Sequence, residues 1–218
     1  MPVNVLPAED ADMPRIFEIA ALAFARNEPI WDAQFPKHWT PEGRKVGGER
    51  MTLTKNSDPY TTYLKAVDVD SGEILGMAKW NVYQNTRPDP SKVKGWGSEY
   101  YETEAEKAYI KAMVPVFLAK RNAAIERTGG NLVSLDILSI DPAHQRKKVG
   151  DALVKWGLKR ADELGLPAVV ESSVFGKGLY QKNGFVFHED VRVIVPGFED
   201  WPVGEFAWLE RPKTVNAA

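Results

Sequence analysis

At 218 residues the chain has the length of one ordinary domain, or of one domain with an insertion. Apolar side chains make up 44% of it, enough for a sizeable core, and a formal net charge of −2 leaves no field of one sign to draw nucleic acid or a membrane surface. Cysteine is absent, which excludes disulfides, thiolate zinc sites and a thiol nucleophile, while His38, His144 and His188 lack ligand spacing, so no metal is expected.

The first residues lack the basic and apolar regions of a signal peptide, and no stretch approaches the ~20 apolar residues of a membrane span. A cytoplasmic protein is the expectation. Residues 3–6 read as a short strand. After Asp10 and Asp12, apolar residues recur with helical spacing from Ile16 to Phe24, with the acidic pair at the end that suits the helix dipole. Residues 27–39 form an aromatic loop with two prolines, and Thr40-Pro41 cap and start a second helix running towards Thr54. Residues 61–69 and 74–82 make a hairpin about the turn Asp70-Ser71-Gly72-Glu73.

Residues 86–130 read as an insertion between strands rather than a second domain. It opens with a loop rich in Pro, Gly, Lys and Ser, continues as a helical pattern over 102–127 that Pro115 divides, and stops at Gly129-Gly130. Leu132–Ile140 is an apolar strand, residues 141–148 a basic loop, and Val149–Leu164 an amphipathic helix that Gly165-Leu166-Pro167 ends. A strand over 168–171, a short helix over 175–182, a strand over 185–195 and a last strand within 198–211 follow. Strand, basic loop, helix, strand is an α/β unit with a parallel pair inside it.

The segment leading into the amphipathic helix is Gln145-Arg146-Lys147-Lys148-Val149-Gly150-Asp151-Ala152. A helix N-terminus presents unpaired N–H groups and partial positive charge, so it binds phosphate, and Gly150 permits close approach. Neither the P-loop spacing nor the dinucleotide glycine fingerprint occurs. On these residues alone, a solvated basic loop ahead of a surface helix is an equal alternative.

The context resembles the GNAT superfamily of acetyl-CoA-dependent N-acetyltransferases. Its Gln/Arg-x-x-Gly-x-Gly/Ala motif follows a strand and opens a helix, and Gln145 and Gly150 match the first and last positions. Leu138-Ser139-Ile140-Asp141-Pro142 is similar to the family's Leu-x-Val-x-Pro strand end. Leu179-Tyr180-Gln181-Lys182-Asn183-Gly184-Phe185 is similar to its Leu-Tyr-x-x-x-Gly-Phe motif. The likeness is specific over residues 132–195, and residues 170–185 resemble small-molecule members such as the puromycin acetyltransferase. Lys148 stands where the family usually has the first Gly; at a position requiring φ > 0 a Lys costs about 1 kcal/mol or more.

The resemblance implies a mixed α/β (α+β) fold: a central, partly parallel sheet of about six to seven strands, helices on both faces, and a single domain over 1–218. It implies acetyl-CoA as cosubstrate, a small-molecule primary amine as acceptor, and direct attack of the amine on the thioester. Its pantetheine would pair with the backbone of Leu138, Ser139 and Ile140, with the Leu138 or Ile140 N–H polarising the carbonyl. The pyrophosphate would lie on Gln145, Arg146, Lys147, Lys148, Val149, Gly150 and Asp151. Tyr180 is the expected general acid, since a phenol with pKa around 10 keeps its proton at neutral pH, and a core Tyr is the alternative. Ser173 is the nearest match to a CoA-contacting Asn.

For the base, Asp136 and Glu171 are the candidates, because a carboxylate in an apolar strand is costly without a purpose. Strand alternation puts Asp136 on one face with Leu138 and Ile140. Either carboxylate equally well caps or ion-pairs. Glu28, Trp31 and Trp80, with Phe24, Phe35 and Tyr83, are the acceptor-site candidates, since aromatics around one carboxylate suit a cationic amine, although such aromatics also build cores. A non-catalytic acyl-CoA-binding module and an acetyltransferase acting on a protein amine are the alternative functions. No nucleic-acid or membrane partner is expected, and the oligomeric state is open between monomer and homodimer.

Overall fold

A computed structural model describes residues 2–214. The N-terminal half supplies three antiparallel strands, β1 (Val3–Pro7), β2 (Thr61–Asp68) and β3 (Ile74–Tyr83). Between β1 and β2 lie three helices: α1 (Met13–Phe24), α2 (Pro29–Gln34) and α3 (Pro41–Ser57). Thr40 caps α3 by accepting the Gly43 N–H at 3.0 Å. The stretch expected as an aromatic loop contains α2, because Pro29 fits a first helical turn and Trp31 and Phe35 then bury together against Phe17.

Between β3 and β4 (Leu132–Ile140) stand α4 (Glu104–Phe117) and α5 (Ala119–Arg127). Thr103 and Glu106 form a reciprocal capping box at the start of α4. The break between the two helices falls at Leu118, not at Pro115, which lies inside α4. There it removes one backbone donor close to the C-terminal end, and the helix runs on to Phe117.

The remaining elements are α6 (Val149–Leu164), β5 (Ala168–Ser172), α7 (Lys177–Lys182), β6 (Val186–Val193) and β7 (Gly204–Arg211). The sheet has seven strands in the order β1-β2-β3-β4-β5-β7-β6, and β4 with β5 is its parallel pair. The last strand is therefore internal, between β5 and β6.

One face of the sheet packs on α6 and α7, with Leu64, Leu75, Ala78, Val133, Leu135 and Leu153 at the centre. Gly157 lets α6 approach the sheet, since a Cβ there would lie 2.1 Å from Cε2 of Trp80. On the other face, Phe17, Trp31, Tyr63 and Met77 form one cluster with α1 to α3, and Tyr83, Met113, Leu132 and Trp208 another with α4 and α5. Among the described residues no helix is long and apolar enough to cross a membrane.

Candidate active site

The parallel pair is short. Val133, Ser134 and Leu135 of β4 pair with Ala168, Val169 and Val170 of β5, and there the ladder ends although both strands continue. Beyond this point β4 is held by β3 and β5 by β7, so the two part like a fork. Leu138, Ser139 and Ile140 lie on the β4 arm past the divergence.

A bulge coincides with the fork. Trp80 pairs with Leu135 and Lys79 with Ile137, leaving Asp136 as the extra residue. The bulge shifts the alternation: Leu135, Leu138 and Ile140 face α6, whereas Ile137 packs in the α1 cluster. This corrects the expectation that Asp136 shares a face with Leu138 and Ile140. Its carboxylate points to the opposite side, into a cavity of about 1280 Å³ beneath α4 and α5.

On the α6 side, Arg146 and Lys148 both adopt left-handed backbone, with φ of 62° and 66°. Lys148 thus occupies a position of the kind where a glycine would be unstrained. Among the described residues, the amides of 145–151 find no protein acceptor. They form a concave run of N–H groups at the start of a 16-residue helix, beside the exposed Arg146 and Lys148. Lys147 folds back, its Nζ donating to the Ala143 carbonyl at 3.1 Å, and Gln145 Nε2 reaches the Ile140 carbonyl at 3.4 Å.

Gly150 stands in the first turn of α6, among these amides. A Cβ there would lie 3.3 Å from Leu179 and 3.7 Å from Ile140, so Gly150 also stands where α6 packs close to α7 and β4. Val149 is buried and offers only its amide. The Asp151 carboxylate is held by Lys155 at 2.8 Å and by Asn183 Nδ2 at 3.0 Å, and these lower its pKa. Asn183 so links the Leu-Tyr segment to the basic loop.

Tyr180, on α7, is buried on the α6 side, edge-on to Phe185 at 5.7 Å. Burial pushes its phenol up from its ordinary value. Ser173 follows β5 and lines the cavity, its carbonyl accepting the Gly176 N–H at 3.0 Å.

The cavity floor is a chain of buried charges. Lys79 Nζ donates to Asp136 at 2.8 Å. Arg121, from α5, donates Nη1 to Asp136, and Nε and Nη2 to Glu171 at 3.1 and 2.5 Å. Burial opposes ionisation of Asp136, but Arg121 and Lys79 outweigh it and hold the carboxyl well below the usual range. A carboxylate so held is a poor proton acceptor at neutral pH, and both oxygens of Glu171 are occupied. Of the two readings the sequence leaves open for Asp136 and Glu171, base or ion-pair partner, the geometry shows the ion pairs. Neither cation was marked as functional by sequence. Lys79 left a signal, a cation inside an apolar strand, whereas Arg121 sits among polar helix residues that read as solvated.

Of the acceptor candidates, Glu28, Trp31, Phe24 and Tyr83 line the cavity. Glu28 is half-buried, and burial, with Asp32 nearby, raises its pKa. Trp31 stacks on Phe17 at 5.7 Å and packs against Phe24 at 4.6 Å. Trp80 does not belong here. It lies on the α6 face, 1% exposed, its Nε1 donating to the Leu153 carbonyl at 3.3 Å, because its position in β3 is even where Lys79 and Tyr83 are odd.

The acetyltransferase (GNAT) domain family matches residues 84–201, more than half of the chain. The chain belongs to the GNAT acetyltransferase family. It is on that ground an acetyl-CoA-dependent acetyltransferase. Solved structures share its fold. The histone acetyltransferase HPA2 and related acetyltransferase of Corynebacterium glutamicum is 22% identical over 100% of both chains, with a TM-score of 0.60. The mosquito arylalkylamine N-acetyltransferase like 5b is 13% identical, covering 96% of this chain and 99% of its own, at a TM-score of 0.65. The phosphinothricin acetyltransferase of Sinorhizobium meliloti, solved in complex with acetyl-CoA, is 16% identical over 98% of this chain and 89% of its own, at 0.55. No curated protein matches the chain.

Proposed function

We propose that the enzyme acetylates a primary amine of a small molecule, with cofactor and acceptor meeting in the β4–β5 fork from opposite faces of the sheet. The observation that carries this reading is the arrangement itself. Unpartnered amides lie on the α6 side of the fork, and an aromatic cavity with a free carboxylate lies on the other. Acetyl-CoA supplies the acetyl group as an activated thioester.

The donor set fits a pyrophosphate: consecutive amides at a helix N-terminus, with Arg146 and Lys148 at the rim. Val149, Gly150 and Asp151 contribute backbone N–H groups. Leu138, Ser139 and Ile140 offer the open edge of β4 to an extended arm, and an N–H of Leu138 or Ile140 faces the developing oxyanion. Ser173 borders the same gap at the end of β5. Tyr180 keeps its proton through neutral pH and delivers it to the departing sulfur. Glu28, with Trp31 and Phe24 beside it, receives the ammonium and takes its proton. Its raised pKa makes it a better acceptor than Asp136, whose charge is spent on Arg121 and Lys79, while both oxygens of Glu171 are taken by Arg121.

Calorimetric titration with acetyl-CoA, run beside Arg146→Glu, tests the cofactor half. Micromolar binding, weakened about tenfold or more by the charge reversal, is expected. Thiol release with a panel of primary amines tests the other half. Wild-type protein that binds no acetyl-CoA would sink the reading. Binding without turnover on any amine would leave an acyl-CoA-binding module in its place.

A further inference from the structure

We propose that Arg121 is a positioning residue for acetyl transfer, stapling β4 to β5 at the point where they part and so fixing the width of the fork. The proposal rests on the fork being the place of reaction. Its basis is register. Leu135 and Val170 are the last paired residues of the two strands, and the very next residues are Asp136 and Glu171. Both carboxylates close on one guanidinium.

Past Leu135 no residue of the β4 arm is in register with one of the β5 arm among the described residues. There each arm is held on its outer side only, β4 by β3 and β5 by β7, so the ladder between them no longer sets the width of the gap. The pairing is sheltered, with side-chain exposures of 8% for Arg121, 14% for Asp136 and 2% for Glu171. Stability alone does not account for it, because apolar side chains of similar volume often serve a core as well as a buried ion pair. What they cannot do is join two strands in a set geometry. A planar guanidinium can, since it donates along several fixed directions, and a lysine ammonium offers only a compact point charge. Arg121 also comes from α5, so the staple ties the roof of the acceptor cavity to its floor.

The charged and titratable groups facing this point are Lys79 and Tyr83 from β3, Tyr63 from β2, Asp136 from β4 and Glu171 from β5. In Arg121→Met, Asp136 keeps only Lys79 and Glu171 loses its cation. The double variant Arg121→Met/Glu171→Gln removes the staple without stranding the second carboxylate.

The experiment compares wild type, Arg121→Met, Arg121→Lys and the double variant by thermal unfolding, acetyl-CoA titration, and kcat and KM against pH. Expected is a kcat about ten- to a hundredfold lower in all three, with acetyl-CoA affinity within about threefold of wild type. The double variant recovers thermal stability relative to Arg121→Met but not kcat. A double variant that turns over at the wild-type rate, or full rescue of kcat by Lys, would overturn the proposal. Should Arg121→Met not fold, the double variant decides. A wild type with no turnover sinks the functional reading itself, whereas active wild type with equally active variants sinks only the staple.

Discussion

In the proposed reaction Tyr180 and Glu28 carry separable parts. Tyr180→Phe removes a proton donor and little volume, so kcat should fall about a hundredfold with the KM for the amine unchanged. An unaltered kcat would remove the acid from Tyr180. Glu28→Gln should raise the KM for amines and lower kcat as well, since it removes both the anion that receives the ammonium and the acceptor of its proton. Because burial lifts the Glu28 carboxyl above 4.5, the acid limb of kcat/KM should fall above that pH in the wild type, and a limb at 4.5 or lower would separate Glu28 from the chemistry. Trp80→Leu, by contrast, should cost about 3 kcal/mol of stability and leave the amine KM alone, as measured by denaturation beside kinetics. Tyr180 stands out in the sequence because Leu179 and Gly184-Phe185 flank it, and the structure places it on α7 against α6. Trp80 was misread because aromatics wall pockets and fill cores alike. Arg121 was invisible, since its role depends on two strands that only the folded chain brings beneath it.

The two elements on either side of the basic loop were read to the residue. Apolar Leu132–Ile140 ends at Asp141-Pro142, and Val149–Leu164 ends at Gly165, which takes the left-handed conformation with φ 64°. The bulge in β4 left no mark, because Leu135-Asp136-Ile137-Leu138 contains neither Gly nor Pro, and one unannounced extra residue reverses every later side chain. The left-handed Lys148 makes a prediction of opposite signs. Lys148→Gly should raise stability by about 1 kcal/mol in thermal unfolding through relief of strain, while weakening acetyl-CoA binding by loss of a cation. Tighter binding would mean that the strain, not the charge, governs the loop.

The whole molecule carries its buried charges as a stability term. Asp136 has a folded pKa depressed below its ordinary value. A group of this kind contributes stability that is complete above its unfolded pKa, about 3.9, and is lost as pH falls below it. Urea unfolding should therefore show a steeper loss between about pH 4 and 3 in the wild type than in a variant where Asp136 is Asn. Equal slopes would mean that the network is already broken at that pH.

The internal place of β7 reaches beyond the finished enzyme to its synthesis. β5 stays unpaired on its outer edge until Gly204–Arg211 has been translated, and β6 has no partner in the sheet before then. The basic loop, α6 and the Tyr180 helix are all made earlier, yet the outer arm of the fork is held only when the last strand slides in beside it. A ribosome-bound chain ending before Gly204 would carry both motifs and an open strand edge, exposed to mispairing and to chaperones. The order of the strands thus delays the finished fork until β7 has been made, after every other strand of the sheet.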